Sequence, residues 1–189
     1  MNKENKIYRH YLFIALLLVL SCSPQKKDWS EMTSKEIIKT LINTQIYIPE
    51  DLLIYENDEL VAFDSISLSG SKFKIITLIY GDCEKCIKSI NSWHDLENEI
   101  IQKEQLKMYF VILTSNPDFF IERYLPEIGI SSSILIDKSY NFLIKNNFPP
   151  YKRFHTFLLD RNNEIMLIGT PFYNDKSMQL YKNTIENFK

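Results

Sequence analysis

Two cysteines separated by two residues, Cys83 and Cys86 in the stretch ITLIYGDCEKCIKSI, are the side chains of this chain best suited to covalent chemistry. A β-branched apolar run ends there in Gly81 and Asp82 and a helix-like pattern begins, so the first thiol is expected at a helix N-terminus. Unpaired backbone N–H groups and the helix dipole favour the thiolate at such a place, lowering a thiol pKa from about 8.5 into a range of roughly 3.5 to 7.5. The second thiol is close enough to close a disulfide with the first. A disulfide across so short a loop constrains little of the unfolded chain and makes a weak staple, which favours a redox role over a structural one.

The third cysteine, Cys22, belongs to a different pattern. Lys3, Lys6 and Arg9 precede an unbroken apolar run, YLFIALLLVL, from Tyr11 to Leu20. A bilayer span needs about twenty apolar residues, so a basic start and a shorter run read as a secretory signal peptide. Val19, Leu20, Ser21 and Cys22 resemble a bacterial lipobox, which implies removal of residues 1–21 and a lipid on Cys22. Residues 22–32 are then expected as a tether, and the remainder, 33–189, as one domain. No later segment reaches eighteen apolar residues, so the mature chain is expected to be anchored to a membrane rather than to span it. Loss of residues 1–21 takes away three cations and one anion, moving the formal charge from −2 to about −4. Without a basic patch, nucleic acid is not an expected partner.

The elements that would position the pair can be read from periodicity and caps. Thr33 and Glu36 form a capping box before Ile37, Ile38, Leu41 and Ile42, predicting a helix over 34–44. Residues 45–70 mix short apolar runs with turn residues and predict edge strands. Phe73 to Gly81 reads as a central strand covered on both faces, and the apolar spacing after Cys86 predicts a helix of about twenty residues to Lys103. Leu106–Leu113 is the next buried strand. Asn116 and Pro117 start another helix, SILID is a short strand with Asp137 as a following cap, and SYNFLIKNN is a short helix. HTFLLD and EIMLIG flank Asn162 and Asn163 as a β-hairpin, and a last helix is expected over 174–188 with Met178, Tyr181, Ile185 and Phe188 on one face.

A strand ending in CxxC, a long helix, a buried strand, a second helix and a hairpin reading TFLLDRNNEI together resemble the thioredoxin-like superfamily. Within it the pattern is most similar to the membrane-anchored TlpA and ResA group of extracytoplasmic thiol-disulfide oxidoreductases, over roughly residues 50–189. The resemblance implies an α/β fold of the thioredoxin type: a central mixed β-sheet flanked by helices, here with an N-terminal helical and β extension. It also implies that Cys83 attacks and Cys86 resolves, with protein thiols or disulfides as clients, a redox partner and no resident cofactor or metal. The expected location is the bacterial cell envelope, facing the periplasm or the exterior.

Three positions depart from that group's pattern. Asp82 stands just before Cys83, where an aromatic residue is usual. Thr77 replaces the buried carboxylate of the preceding strand. Arg153, Phe154, His155 and Thr156 occupy the loop before FLLD, where a cis-proline is usual, and Pro149 and Pro150 come earlier. By the group's geometry His155 would lie within reach of the thiols, as proton acceptor or, when charged, as a promoter of the thiolate. A Cu(I) site of Cys83, Cys86 and a histidine is an alternative. His94 is not part of it, because eight helical residues beyond Cys86 place it about 12 Å along the axis. A thioredoxin-fold binding lipoprotein with a passive disulfide is the other alternative.

Overall fold

Every β-branched and aromatic residue of the predicted central strand finds a partner face. The computed structural model describes residues 27–64, 68, 71–94 and 106–187. Its sheet has seven strands: β1 Leu53–Glu56, β2 Glu59–Ala62, β3 Phe73–Tyr80, β4 Leu106–Leu113, β5 Ser133–Asp137, β6 Thr156–Leu159 and β7 Ile165–Ile168. They lie in the order β2-β1-β5-β4-β3-β6-β7. The β3–β4 and β4–β5 pairs are parallel and the others antiparallel, so the sheet is mixed as expected.

Side chains alternate across the pleat of β3. Ile76 and Leu78 join one core cluster with Val111, Leu113 and Phe157, while Phe73, Ile75 and Ile79 join the other with Phe110, Ile112 and Leu158. Burying each such side chain contributes about 1.5–3 kcal/mol relative to exposure, which makes the middle of this sheet the rigid part of the molecule. The helices α1 Ser34–Leu41 and α4 Asn141–Lys145 bring Ile37, Leu41 and Phe142 to the first cluster. The second receives Ile87 from α2 Glu84–Lys88, Phe120 from α3 Pro117–Arg123, and Tyr181 and Ile185 from α5 Asp175–Asn187.

Most local signals act where they were read. The Thr33–Glu36 capping box is formed, and Asn116 caps α3 with Pro117 at its first turn. Asn163 takes a left-handed conformation, φ 63°, in the hairpin between β6 and β7. Asn57 and Asp58, φ 51° and 66°, turn the β1–β2 hairpin, as the two residues of a tight right-twisted turn must. Asp137 serves the start of α4 from a distance: Tyr140 holds the cap position, and the Asp137 carboxylate accepts from the backbone N–H of Asn141 at 3.0 Å and of Phe142 at 2.7 Å.

Two expectations need correction. The first helix stops at Leu41 rather than Thr44, because Asn43 turns left-handed at φ 61° and Thr44 Oγ1 donates to the Leu41 carbonyl at 2.6 Å. The helix after the cysteines is α-helical over Glu84–Lys88 and then tightens into a 3-10 turn over Ser89–Trp93. Ile87, Ile90 and Trp93 are the buried residues there, a step of three that suits the tighter turn. The hydroxyls of Ser89 and Ser92 donate to the carbonyls of Cys86 and Ser89, competing with the regular ladder. Its expected continuation to Lys103 lies outside the described residues, as do Phe188, Cys22 and the run Tyr11–Leu20. Trp29, within the expected tether, is buried and donates from Nε1 to the Asn147 carbonyl at 3.0 Å.

Gly81 closes β3 at the tightest backbone approach next to the cysteines. Its N–H donates to the Leu113 carbonyl at 2.9 Å, and a Cβ there would stand 2.7 Å from Thr114 Cβ and 3.0 Å from Ile112 Cγ2. Neither neighbour is the end of a flexible side chain. Gly81→Ala is expected to destabilise the protein by about 1–3 kcal/mol through forced displacement of β4, measured by denaturant unfolding. An unchanged midpoint would show that the junction yields freely.

Candidate functional site

The two cysteines sit where β3 hands the chain to α2. The Cys83 N–H donates to the Tyr80 carbonyl at 3.1 Å, which folds Gly81 and Asp82 into a tight turn. Cys83 is the N-cap residue of α2, with extended backbone, and its carbonyl accepts from the N–H groups of Cys86 and Ile87 at 2.8 and 3.0 Å. That geometry leaves both sulfurs on one side of the first turn. They are joined as a disulfide with Cα atoms 5.2 Å apart, and both residues are half-buried.

The wall opposite the pair is the segment Pro149–His155. Its last part is a 3-10 turn, Lys152–Phe154, which brings Lys152 Nζ to 3.0 Å from Cys86 Sγ and 3.5 Å from Cys83 Sγ. The same ammonium lies 5.0 Å from the centre of the Tyr80 ring. Phe154 is buried in the core, while Arg153 spreads its guanidinium over the Phe154 and Tyr151 rings, at 4.8 and 5.3 Å. Lys152 is thus the cation this loop presents to the sulfurs.

His155 is placed differently from the partly exposed residue that a strand start suggests. It is 1% exposed, and Nε2 lies 2.8 Å from the Pro149 carbonyl, which requires the proton on Nε2. Nδ1 has no hydrogen-bond partner, and the ring leans on Tyr80 with centroids 5.9 Å apart. Burial pushes its pKa below the ordinary 6.5, the Lys152 charge adds to that, and the bond to Pro149 opposes it. The neutral ring therefore clasps the loop, and the charged form that would promote a thiolate is disfavoured. Among the described residues no cis peptide bond occurs, so the Phe154–His155 bond is trans.

Thr77 and Thr156 face each other across β3 and β6 with their hydroxyl oxygens 3.3 Å apart, both buried. They line a cavity of about 250 Å³ together with Tyr80, Cys86, Trp93 and Lys152. Beside Cys83, Glu84 is held by Lys88 at 2.6 Å, and that hydrogen bond and charge lower the Glu84 pKa. His94 is exposed on the 3-10 turn's far end. No three His, Cys, Asp or Glu side chains converge as metal ligands among the described residues. Sequence reasoning passed over Lys152 in favour of His155. The one available signal was its place three residues before His155, the spacing that stacks side chains on a 3-10 turn.

No family model and no curated protein matches the chain, whereas solved structures do. A thioredoxin-like protein from Porphyromonas gingivalis superimposes with a TM-score of 0.54 at 16% identity, covering 76% of this chain and 93% of that one. The fold is thioredoxin-like. A protein from Chlorobium tepidum described as thiol:disulfide interchange protein DsbE gives 0.54 at 14% identity, over 77% of this chain and 97% of its own. The thioredoxin domain of a thiol-disulfide oxidoreductase from Bacteroides vulgatus gives 0.53 at 12% identity, over 72% and 94%. In this thioredoxin-like chain the cysteine pair caps the helix after the central strand, and the loop before β6 faces it.

The burial of neutral His155 has a consequence for stability against pH. Its folded-state pKa lies below the unfolded value of 6.5, so the unfolded chain binds the proton more readily. The contribution of the neutral ring is fully present above about pH 6.5 and is lost as pH falls from there towards the lowered folded value. His155→Gln, which keeps a donor for the Pro149 carbonyl, is expected to remove up to about 1.4 kcal/mol per pH unit from the acid slope. Urea unfolding of both proteins between pH 7 and 5 measures it, and parallel slopes would contradict a neutral, buried histidine.

Proposed function

We propose that this protein is a lipid-anchored, extracytoplasmic thiol-disulfide oxidoreductase that works through Cys83 and Cys86. The observation that carries the reading is the half-exposed pair, within bonding distance at the strand-to-helix junction of a thioredoxin-like fold. Two of the similar structures are of a thiol:disulfide interchange protein and a thiol-disulfide oxidoreductase, which supports protein thiols or disulfides as clients. Lys3, Lys6, Arg9, the apolar run and Cys22 support export and a lipid anchor. No helix among the described residues is long and apolar enough to cross a membrane. His155 acts as a positioning residue that holds the loop opposite the pair, rather than as a charged group.

The reaction follows from the sulfur chemistry. A Cys83 thiolate attacks a client disulfide, forming a Cys83–client bond while the client's other sulfur leaves as a thiolate. Cys86 then attacks Cys83 Sγ, the internal disulfide forms, and the second client sulfur departs. Two electrons pass from the pair to the client, and the reverse sequence oxidises a client dithiol.

One observation favours a second reading, a binding lipoprotein with a passive disulfide. The loop's backbone is used internally: Phe154 N–H donates to Tyr151, His155 N–H to Lys152, and the His155 carbonyl accepts from Leu78, each at 2.8–3.0 Å. A client chain has little backbone left to pair with there. Trapping separates the two readings. Cys86→Ser is expected to accumulate mixed disulfides through Cys83 in the cell envelope, and Cys83→Ser none, seen as reductant-sensitive bands. If neither captures a partner and the wild type reduces no model disulfide, the passive reading holds.

The anchor is tested separately by labelling cells with an alkyne fatty acid. The wild type is expected to carry the label and Cys22→Ala to lose it; equal labelling would place any acyl chain elsewhere.

A further inference from the structure

Neither sulfur of the pair finds its charge partner on its own helix. The α-helical part, Glu84–Lys88, has five residues before it tightens into the 3-10 turn; of its two basic residues Lys88 is engaged with Glu84 at 2.6 Å, and Lys85 is exposed. The nearest cation comes from across the site. Lys152 Nζ lies 3.0 Å from Cys86 Sγ and 3.5 Å from Cys83 Sγ, on a turn whose position is set twice over. The His155 N–H donates to the Lys152 carbonyl at 3.0 Å, and the His155 ring clasps Pro149 at 2.8 Å.

We propose that Lys152 is a catalytic residue of the pair, the fixed ammonium that stabilises the Cys86 thiolate in the step that releases the client. The proposal rests on the dithiol reading above and adds to it which group supplies the charge and to which sulfur. An ammonium in contact with sulfur lowers the energy of a thiolate much more than that of a neutral thiol or disulfide. Its effect therefore appears where the anion appears. In the resolving step the Cys86 thiol gives its proton to solvent and the thiolate forms beside Lys152. The thiolate then attacks Cys83 Sγ; the Cys83–Cys86 bond forms, the Cys83–client bond breaks, and the departing client thiolate takes a proton from solvent. Lys152 keeps its three protons throughout.

Other groups around the sulfurs are accounted for. Tyr80 on β3 lies under both the ammonium and the His155 ring, and its burial raises its pKa, which keeps the phenol neutral. Tyr140, before α4, is likewise raised, by burial first and then by the Asp82 charge. His155 is disfavoured as a cation by burial. Asp82, Glu84 and Lys85 flank Cys83 in the chain, and Glu84 is neutralised by Lys88.

The test uses the full-length protein, reduced, with no client present. Alkylation by iodoacetamide and thiolate absorbance are followed against pH for the wild type, Lys152→Met and Lys152→Arg, each in the Cys83→Ser and Cys86→Ser backgrounds. Lys152→Met is expected to raise the Cys86 midpoint by about one pH unit, a roughly tenfold loss of thiolate at neutral pH, with a smaller change at Cys83. Lys152→Arg is expected to restore most of it, because charge rather than shape is at issue. With both cysteines present, Lys152→Met should shift the equilibrium with glutathione towards the disulfide at a pH above the Cys86 midpoints of both proteins, where the loss reaches about tenfold, near 30 mV. Melting curves confirm that the variants fold, since Lys152 is exposed and packs no core. Coincident profiles for Lys152→Met and wild type overturn the role of Lys152 and leave dithiol exchange intact. Failure of Cys86→Ser to trap any client, together with no reduction of a model disulfide by the wild type, overturns dithiol exchange instead, whatever Lys152 does to the profile.

Discussion

The pairing of β3 on both of its edges is the constraint on which the site depends. Its parallel partner β4 runs alongside from Phe73 to Tyr80, and the last contact, Gly81 N–H to Leu113, sets where the strand must end. Its antiparallel partner β6 fixes the other edge, with Thr77 opposite Thr156 and the Leu78 N–H donating to His155. One strand thereby carries both walls. The turn bearing Cys83 hangs from Tyr80, and the loop bearing Lys152 hangs from Leu78. A rigid, doubly covered strand can hold two short irregular segments in contact because neither has to order itself alone.

Charge is distributed around the sulfurs by burial as much as by residue type. The loop holds three basic side chains in a row of four, Lys152, Arg153 and His155, and the fold assigns them separate tasks. Burial keeps His155 neutral, aromatic rings occupy Arg153, and Lys152 alone reaches the sulfurs. At the opposite end of β3 a second lysine shows the same principle in another form. Lys74 is wholly buried, and its ammonium donates to the Arg161 carbonyl at 3.1 Å and the Leu68 carbonyl at 3.4 Å. Burial lowers its pKa, while Asp160 works in the opposite direction. A charge in the core is tolerated there because backbone carbonyls and a nearby carboxylate replace its water.

The N-terminal residues belong to the same body as the site. Trp29 joins the core cluster that contains Phe148 and Phe154, and its indole N–H holds the Asn147 carbonyl two residues before Pro149. The isolated bridge between Gln45 and Glu164 ties the following segment to the β6–β7 hairpin. The extension that precedes the sheet thus braces the loop that faces the cysteines.

The sequence by itself determined the order of the elements, the caps at Thr33 and Asn116, the strand bounds of Leu106–Leu113 and the position of Cys83 at a helix start. Those features are legible because they depend on periodicity and hydrogen bonds spanning no more than a few residues. The 3-10 turn at Ser89–Trp93 was not legible in the same kind of signal, since apolar steps of three suit a 3-10 turn as well as an α-helix and the serine hydroxyls compete with the regular ladder. Tertiary structure alone decided which cation meets the sulfurs and which histidine stays neutral. Lys152 is 69 positions from Cys83 and touches it only through the β3–β6 pairing. The charge of His155 is set by the protein packed around it, a quantity that no local stretch of sequence contains.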